Sequence, residues 1–278
     1  MDGAAGDLRR TPPRADARVH PAGLRQALSR ADARVHPAGL DGHLVWAARL
    51  RPDGRRPGPG VRIFRRSGAV AVASPALSGR DRIAVAGEAQ AVVHLVRDVL
   101  PEVGPTYRPF GPADLIDALV RGIPGLERAG GPFLWMETAA PPPAAVTGVA
   151  WLDARAELEA QTLFDRYFPG SHAQPGRPGV RRWAGVRDES GTPLAVAADA
   201  WSGAGCGFLA GVVTHPAARG RGLGAAVSRF VLHALVRDHG RAALMVDAGN
   251  TPAVAAYRRA GMSGQLFGAA AAPPDHVG

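Results

Sequence analysis

The segment Val212-Val213-Thr214-His215-Pro216-Ala217-Ala218-Arg219-Gly220-Arg221-Gly222-Leu223-Gly224 joins three kinds of sequence. An apolar run ends in a proline-marked turn, and a basic, glycine-rich loop follows. From Leu223 onward, Leu223, Val227, Phe230, Val231, Ala234 and Leu235 recur at helical spacing. Strand, loop and helix in that order form a seat for a diphosphate. The first turn of a helix has backbone N–H groups without intrahelical partners and a partial positive charge. Glycine at 220, 222 and 224 lets the backbone approach phosphate oxygens, and Arg219 and Arg221 add positive charge. A Walker loop needs a lysine, and the chain has none, so all 33 basic residues are arginine. A dinucleotide fold would place its glycines directly after the first strand of a βαβ unit. Here two strands precede the segment instead. They are expected over residues 182–187 and 194–201, flanking the turn signal Asp188-Glu189-Ser190-Gly191.

Working outward, residues 154–168 read as an amphipathic helix, 172–179 as a loop and 207–214 as the strand that enters the glycine loop. Residues 243–246 read as a strand and 252–260 as a helix. Downstream of the loop, Asn250, Ala253, Tyr257 and Gly261 stand at fixed intervals. With the segment Arg219 to Gly224, they resemble the two signatures of the GNAT superfamily of N-acetyltransferases. Those are Arg/Gln-x-x-Gly-x-Gly/Ala at the start of a helix and Asn-x-x-Ala-x-x-x-Tyr-x-x-x-Gly after the fifth strand. The resemblance covers about residues 151–267. It departs from the pattern at Met262, where phenylalanine is usual.

The resemblance implies an acyl-CoA-dependent transferase with acetyl-CoA as donor. A small-molecule amine or a protein amino group would be the acceptor. The strand around Val212, Val213 and Thr214 would pair with the pantetheine arm. Arg219, Gly220, Arg221, Gly222, Leu223 and Gly224 would hold the pyrophosphate, Asn250 would contact the arm, and Tyr257 would act as general acid toward the leaving thiolate. Each residue also has a structural reading. Tyr257 fits a packed position on an amphipathic helix, and Asn250 before Thr251-Pro252 is a good helix cap. His215 before Pro216 fits a turn, and Cys206 between glycines has no base beside it. The strand at 207–214 has no carboxylate, so Asp199 and Asp247 are the candidates for a general base.

The first half is expected to hold strands at 61–64, 69–73, 83–86, 107–110 and 133–137, with helices at 89–100 and 113–121. Two further short helices are expected at 26–35 and 38–50. Its order loosely echoes the second half, but only Gly87-Glu88-Ala89 comes between the third strand and the helix, too short for a pyrophosphate loop. We read residues 1–138 as a degenerate GNAT-like half, an arrangement that resembles glycine N-acyltransferase-like proteins with their degenerate N-terminal and active C-terminal halves, or as an unrelated cap domain. Residues 139–146, with three consecutive prolines, read as the linker. Residues 147–268 read as the complete domain and 269–278 as a disordered tail. On this division, a fragment starting near Val146 should keep cofactor binding. The fold class expected is α/β (α+β), with two GNAT-like units of mixed, mostly antiparallel sheet flanked by helices.

Composition bounds the alternatives. The 278 residues are 46% hydrophobic, enough for a packed core. No apolar run is long enough to span a membrane, and the Arg-rich start has no signal-like segment, so a cytoplasmic location is expected. The duplicated RADARVHPAGL at 14–24 and 30–40 has too few copies for a solenoid, and its histidines lack ligand partners. The net charge of +9 comes from scattered arginines. Two rivals to an enzyme remain at this level: an inactive acyl-CoA-binding sensor, suggested by the missing strand carboxylate, and a nucleic-acid binder using the arginine surplus.

Overall fold

The computed structural model describes residues 42–143 and 148–273. The duplicated segments and the helix expected at 26–35 lie outside them. The described chain begins with α1 (Gly42–Ala48). β1 (Arg62–Arg66), β2 (Ala69–Leu77) and β3 (Arg80–Gly87) follow as an antiparallel meander. Then come α2 (Ala89–Val103), β4 (Arg108–Pro112), α3 (Ala113–Gly122), a short β5 (Glu127–Arg128) and β6 (Phe133–Thr138). After the proline-rich segment come β7 (Ala150–Trp151), α4 (Ala154–Tyr167), β8 (Val180–Arg187), β9 (Pro193–Ala200) and β10 (Gly207–Thr214). A 3-10 turn (Pro216–Ala218), α5 (Leu223–His239), β11 (Ala242–Asp247), α6 (Thr251–Arg259) and β12 (Ser263–Ala271) complete it.

Local chemistry sets many of these boundaries. Asp153 caps α4 by accepting from the Ala156 N–H at 2.8 Å. Asp188 closes the β8–β9 hairpin by accepting from the N–H groups of Ser190 and Thr192. Gly240, in the left-handed region, ends α5. β9 is mostly small and apolar, and all its residues but the half-buried Leu194 are buried, which suits a strand covered on both faces.

All the strands belong to one mixed, mostly antiparallel sheet, in the order β1-β2-β3-β4-β12-β6-β11-β10-β9-β8-β7. The run β1-β2-β3-α2-β4-α3 in the first half is repeated as β8-β9-β10-α5-β11-α6 in the second. The last strand of each run is exchanged. β6, which precedes the prolines, lies between β11 and β12, with Met136 opposite both Leu244 and Gly264. β12 in turn pairs with β4 of the first half, Phe267 opposite Pro112. β12 also corrects the expected tail, since it continues to Ala271 and pairs there with β5. The sequence Gly-Ala-Ala-Ala-Ala has no alternation to mark a strand. Cross-strand pairing holds it, not its own propensity.

Three clusters fill the core. One lies under α2 and α3 on the first half, and another lies under α5 and α6 on the second. The third covers the opposite face of the sheet and runs through both halves. α1 drives Trp46 into it, stacked on Phe208 with ring centroids 4.3 Å apart. Trp135 of β6 stacks on Phe267 of β12 at 6.0 Å. His43 donates from Nε2 to the Val85 carbonyl at 3.0 Å. The proline-rich segment is not free of the body either: Pro142 is buried, and its carbonyl accepts from His233 Nδ1 at 2.8 Å.

Candidate functional site

The two repeats differ where β10 meets β11. These parallel strands pair at only two positions, Gly207↔Ala242 and Phe208↔Ala243. Beyond Phe208 they part, and a bulge between Ala210 and Val213 bends β10 away. Gly211 sits in that bulge at φ 61°, and a Cβ there would come 2.5 Å from the Trp183 ring, so only glycine fits. Beyond Phe208, the β10 edge that faces the gap pairs with no strand among the described residues. In the first half, β3 and β4 pair at three positions. A Cβ on Gly111 would come 2.8 Å from the Val85 carbonyl, so those strands stay closed. With no glycine loop after β3, the first half has neither the gap nor the loop.

A cleft of about 580 Å³ runs along the gap in the second half. Val212, Val213, Thr214, Arg219, Gly224 and Asn250 line it, together with Tyr257. Gly220 and Gly222 both have φ 77° with open space around their Cα atoms. Gly222 is the cap residue of α5 and offers no side-chain cap, so the first N–H groups of that helix lack an intrahelical partner. Gly224 packs tightly, since a Cβ there would lie 2.9 Å from Thr214 Oγ1. Arg219 and Arg221 are exposed, and neither makes an ion pair among the described residues. A strand edge left unpaired by the described strands, a cleft beside it and an open cationic loop at a helix N-terminus fit the arm and diphosphate of coenzyme A.

Tyr257 projects from α6 into this cleft and is 8% exposed. Burial pushes its hydroxyl up to about 12, partly opposed by a hydrogen bond with Ser228. The Ser228 hydroxyl also donates to the Gly224 carbonyl at 2.7 Å. Asn250 caps α6, accepting from Ala253 N at 3.3 Å through Oδ1, which leaves its amide NH2 available at the cleft wall. The structural and the cleft-lining readings of Asn250 therefore coexist.

A second cavity, of about 470 Å³, shares Val212, Asn250 and Tyr257 with the cleft and opens beyond them. Trp201, Phe208 and Met245 give it an apolar floor, and Asp247, Ser171, His172 and Ser78 give it polar walls. The two candidate bases thus separate. Asp247 lines this cavity and accepts from Gly249 N at 2.7 Å. Asp199 is buried at 1% exposure and bound to Arg182 and Ser202. Its role is to hold β8, β9 and the following turn together.

His215 caps the 3-10 turn, its Nδ1 accepting from Ala217 N at 3.2 Å. The remaining ring proton is then on Nε2, which donates to the Tyr167 hydroxyl at 3.2 Å. Tyr167 lines the cleft, and the sequence placed it only within the amphipathic helix read over 154–168. Ser228 was likewise hidden, one turn of helix after Gly224. Cys206 is buried, and desolvation pushes its thiol well up, which makes it inert.

The comparisons with known proteins agree with this geometry. Residues 149–262 match the model of the acetyltransferase (GNAT) family. A GCN5-related N-acetyltransferase from Kribbella flavida has the same fold, with a TM-score of 0.56, 19% identity, and coverage of 86% of this chain and 98% of that one. A GNAT-family protein from Novosphingobium aromaticivorans follows, at TM-score 0.51, 19% identity and 83% and 97% coverage. A Drosophila protein matches at TM-score 0.52, 13% identity and 92% and 88% coverage. The search of curated proteins returned no match. Among the described residues, no helix is long and apolar enough to cross a membrane.

Proposed function

We propose that the chain is an acetyl-CoA-dependent N-acetyltransferase whose acceptor amine enters the second cavity and meets the donor at Tyr257. The observation that carries this reading is the parting of β10 from β11 directly beside the Gly220–Gly222 loop, with Tyr257 at the junction of cleft and cavity. When bound, the acyl-CoA thioester supplies an activated carbonyl to an amine nucleophile. The chain's own groups do the rest. The N–H groups on the unpaired edge of β10 offer hydrogen bonds where negative charge develops on an oxygen. Tyr257, protonated across the physiological range, holds a proton at its hydroxyl for delivery to a departing thiolate. Asp247 provides a carboxylate in the acceptor cavity to orient an ammonium group and receive its proton, directly or through water. The apolar floor excludes water from the reacting centre.

The test is a thermal-shift titration with acetyl-CoA, followed by detection of free thiol with a panel of amines. A ligand that binds only the folded chain raises its melting temperature. A shift without thiol release for any amine would favour an acyl-CoA sensor, and no shift would remove coenzyme A from the site. Salt-sensitive DNA binding that survives loss of the glycine loop would favour the nucleic-acid reading.

A further inference from the structure

The β2–β3 hairpin of the first half reaches into the acceptor cavity of the second. Ser78, at φ 54° on the hairpin, lines the cavity beside His172. Arg80 donates from Nε to His172 Nε2 at 3.2 Å, so that imidazole nitrogen is an acceptor. Along β3, Arg80 and Arg82 share a face with Ala84, and Arg82 lies opposite Arg108 of β4. Arg82 also lies over the Phe110 ring at 5.6 Å, on the face that carries Trp201 and Phe208.

These arginines crowd one another. Desolvation, with repulsion from Arg80 and Arg108, brings Arg82 down to about 10. His172 is lowered by desolvation and by the charges of Arg80, Arg82, Arg177 and Arg108. Yet none of these four arginines makes an ion pair among the described residues. Among the described residues, Arg82 uses only its Nε, on the Leu77 carbonyl at 2.9 Å, which leaves the end of its fork for another partner. The nearest acid along the strand, Asp81, alternates to the other side and is engaged by Ala76 N and Thr106 Oγ1.

We propose that the acceptor amine carries an anionic group, a carboxylate or a phosphate, which docks at His172 on the cavity wall, held there by the first-half arginines Arg80, Arg82 and Arg108 clustered beside that ring. This rests on the acyl-transfer reading above. The cavity would then present Asp247 to the amine, and His172 with Arg80 beside it to the anion, a pairing that selects amines bearing both charges. It also gives the first half a role that needs no cofactor loop of its own.

The experiment uses the full chain and matched amines: an α-amino acid against its carboxamide, and O-phosphoethanolamine against ethanolamine. Binding is read as thermal shift with CoA present, and turnover as kcat/KM with acetyl-CoA. The anionic member of at least one pair should be favoured by about tenfold or more, and the pair that responds tells carboxylate from phosphate. Arg80→Gln and Arg108→Gln should each erase most of that preference while the acetyl-CoA shift stays as in the wild type. Equal handling of both members of both pairs would overturn the inference, as would a preference that survives both substitutions. If acetyl-CoA shifts the protein and no anionic amine binds, the inference falls and the coenzyme A reading stands. If acetyl-CoA gives no shift, that reading falls first and takes the inference with it.

Discussion

At the scale of single residues, Tyr257 and Gly222 carry the sharpest tests. Tyr257→Phe removes one hydroxyl from a packed ring. If that hydroxyl supplies a proton, turnover should fall by about 10²–10⁴-fold with acetyl-CoA affinity nearly unchanged. A loss of affinity and stability without a separate loss of turnover would instead mark a packing role. The same residue ties stability to alkaline pH. Its hydroxyl is raised to about 12 in the folded chain, against about 10 when unfolded. A raised value favours the protonated, folded form, so this contribution, of order 3 kcal/mol, is complete below about pH 10 and is lost as pH climbs toward 12. Urea unfolding from pH 9 to 12 should show that loss in the wild type and less of it in Tyr257→Phe. Gly222 separates shape from charge. Gly222→Ala should cost about 1 kcal/mol from its positive φ and weaken the acetyl-CoA shift in part. Gly222→Asp adds a carboxylate where phosphate oxygens would lie and should abolish the shift. A full shift in the Asp variant would remove the loop from the site.

Among the elements, β6 matters most to the site without touching it. It fills the space between β11 and β12, so the gap that opens from β11 depends on a strand from before the prolines. Met136→Pro removes a donor in mid-sheet, and the expected cost is about 3 kcal/mol or more. Acetyl-CoA binding should fall with stability in that variant, and chemical denaturation with and without ligand would show it. For the same reason, a fragment starting at Val146 would expose the edges of β11 and β12, so the retained binding expected from sequence should give way to aggregation. The glycine loop and the Asn250–Tyr257 helix were legible because each is a local pattern, with chemistry and geometry set within a dozen residues. The spacing of apolar residues also located most strands, including 207–214 without error. It could not show their partners. A strand's alternation tells which face is buried, but β6 and β12 sit opposite strands that are more than a hundred residues away in the chain. The arginine cluster stayed hidden for the same reason, since Arg80 meets His172 only through the fold.

Over the whole molecule, the exchange of β6 and β12 leaves neither repeat closed by its own residues. The apolar layer through both, from Trp46 to Phe208 and from Trp135 to Phe267, gives them a common interior. Calorimetry should therefore show one cooperative unfolding transition, shifted as a unit by acetyl-CoA, where two separable transitions would mark independent halves. The exchange also sets a timetable for synthesis. The place beside β4 is filled by residues 263–271, which leave the ribosome after the rest of the second half, so the first half must wait, unfinished, while the second is made. Contacts of such long sequence separation close slowly, and an open strand edge is exposed throughout that wait. A chain stalled just short of Ser263 should therefore be caught by chaperones or degraded, even though every residue of the glycine loop and Tyr257 has already been made.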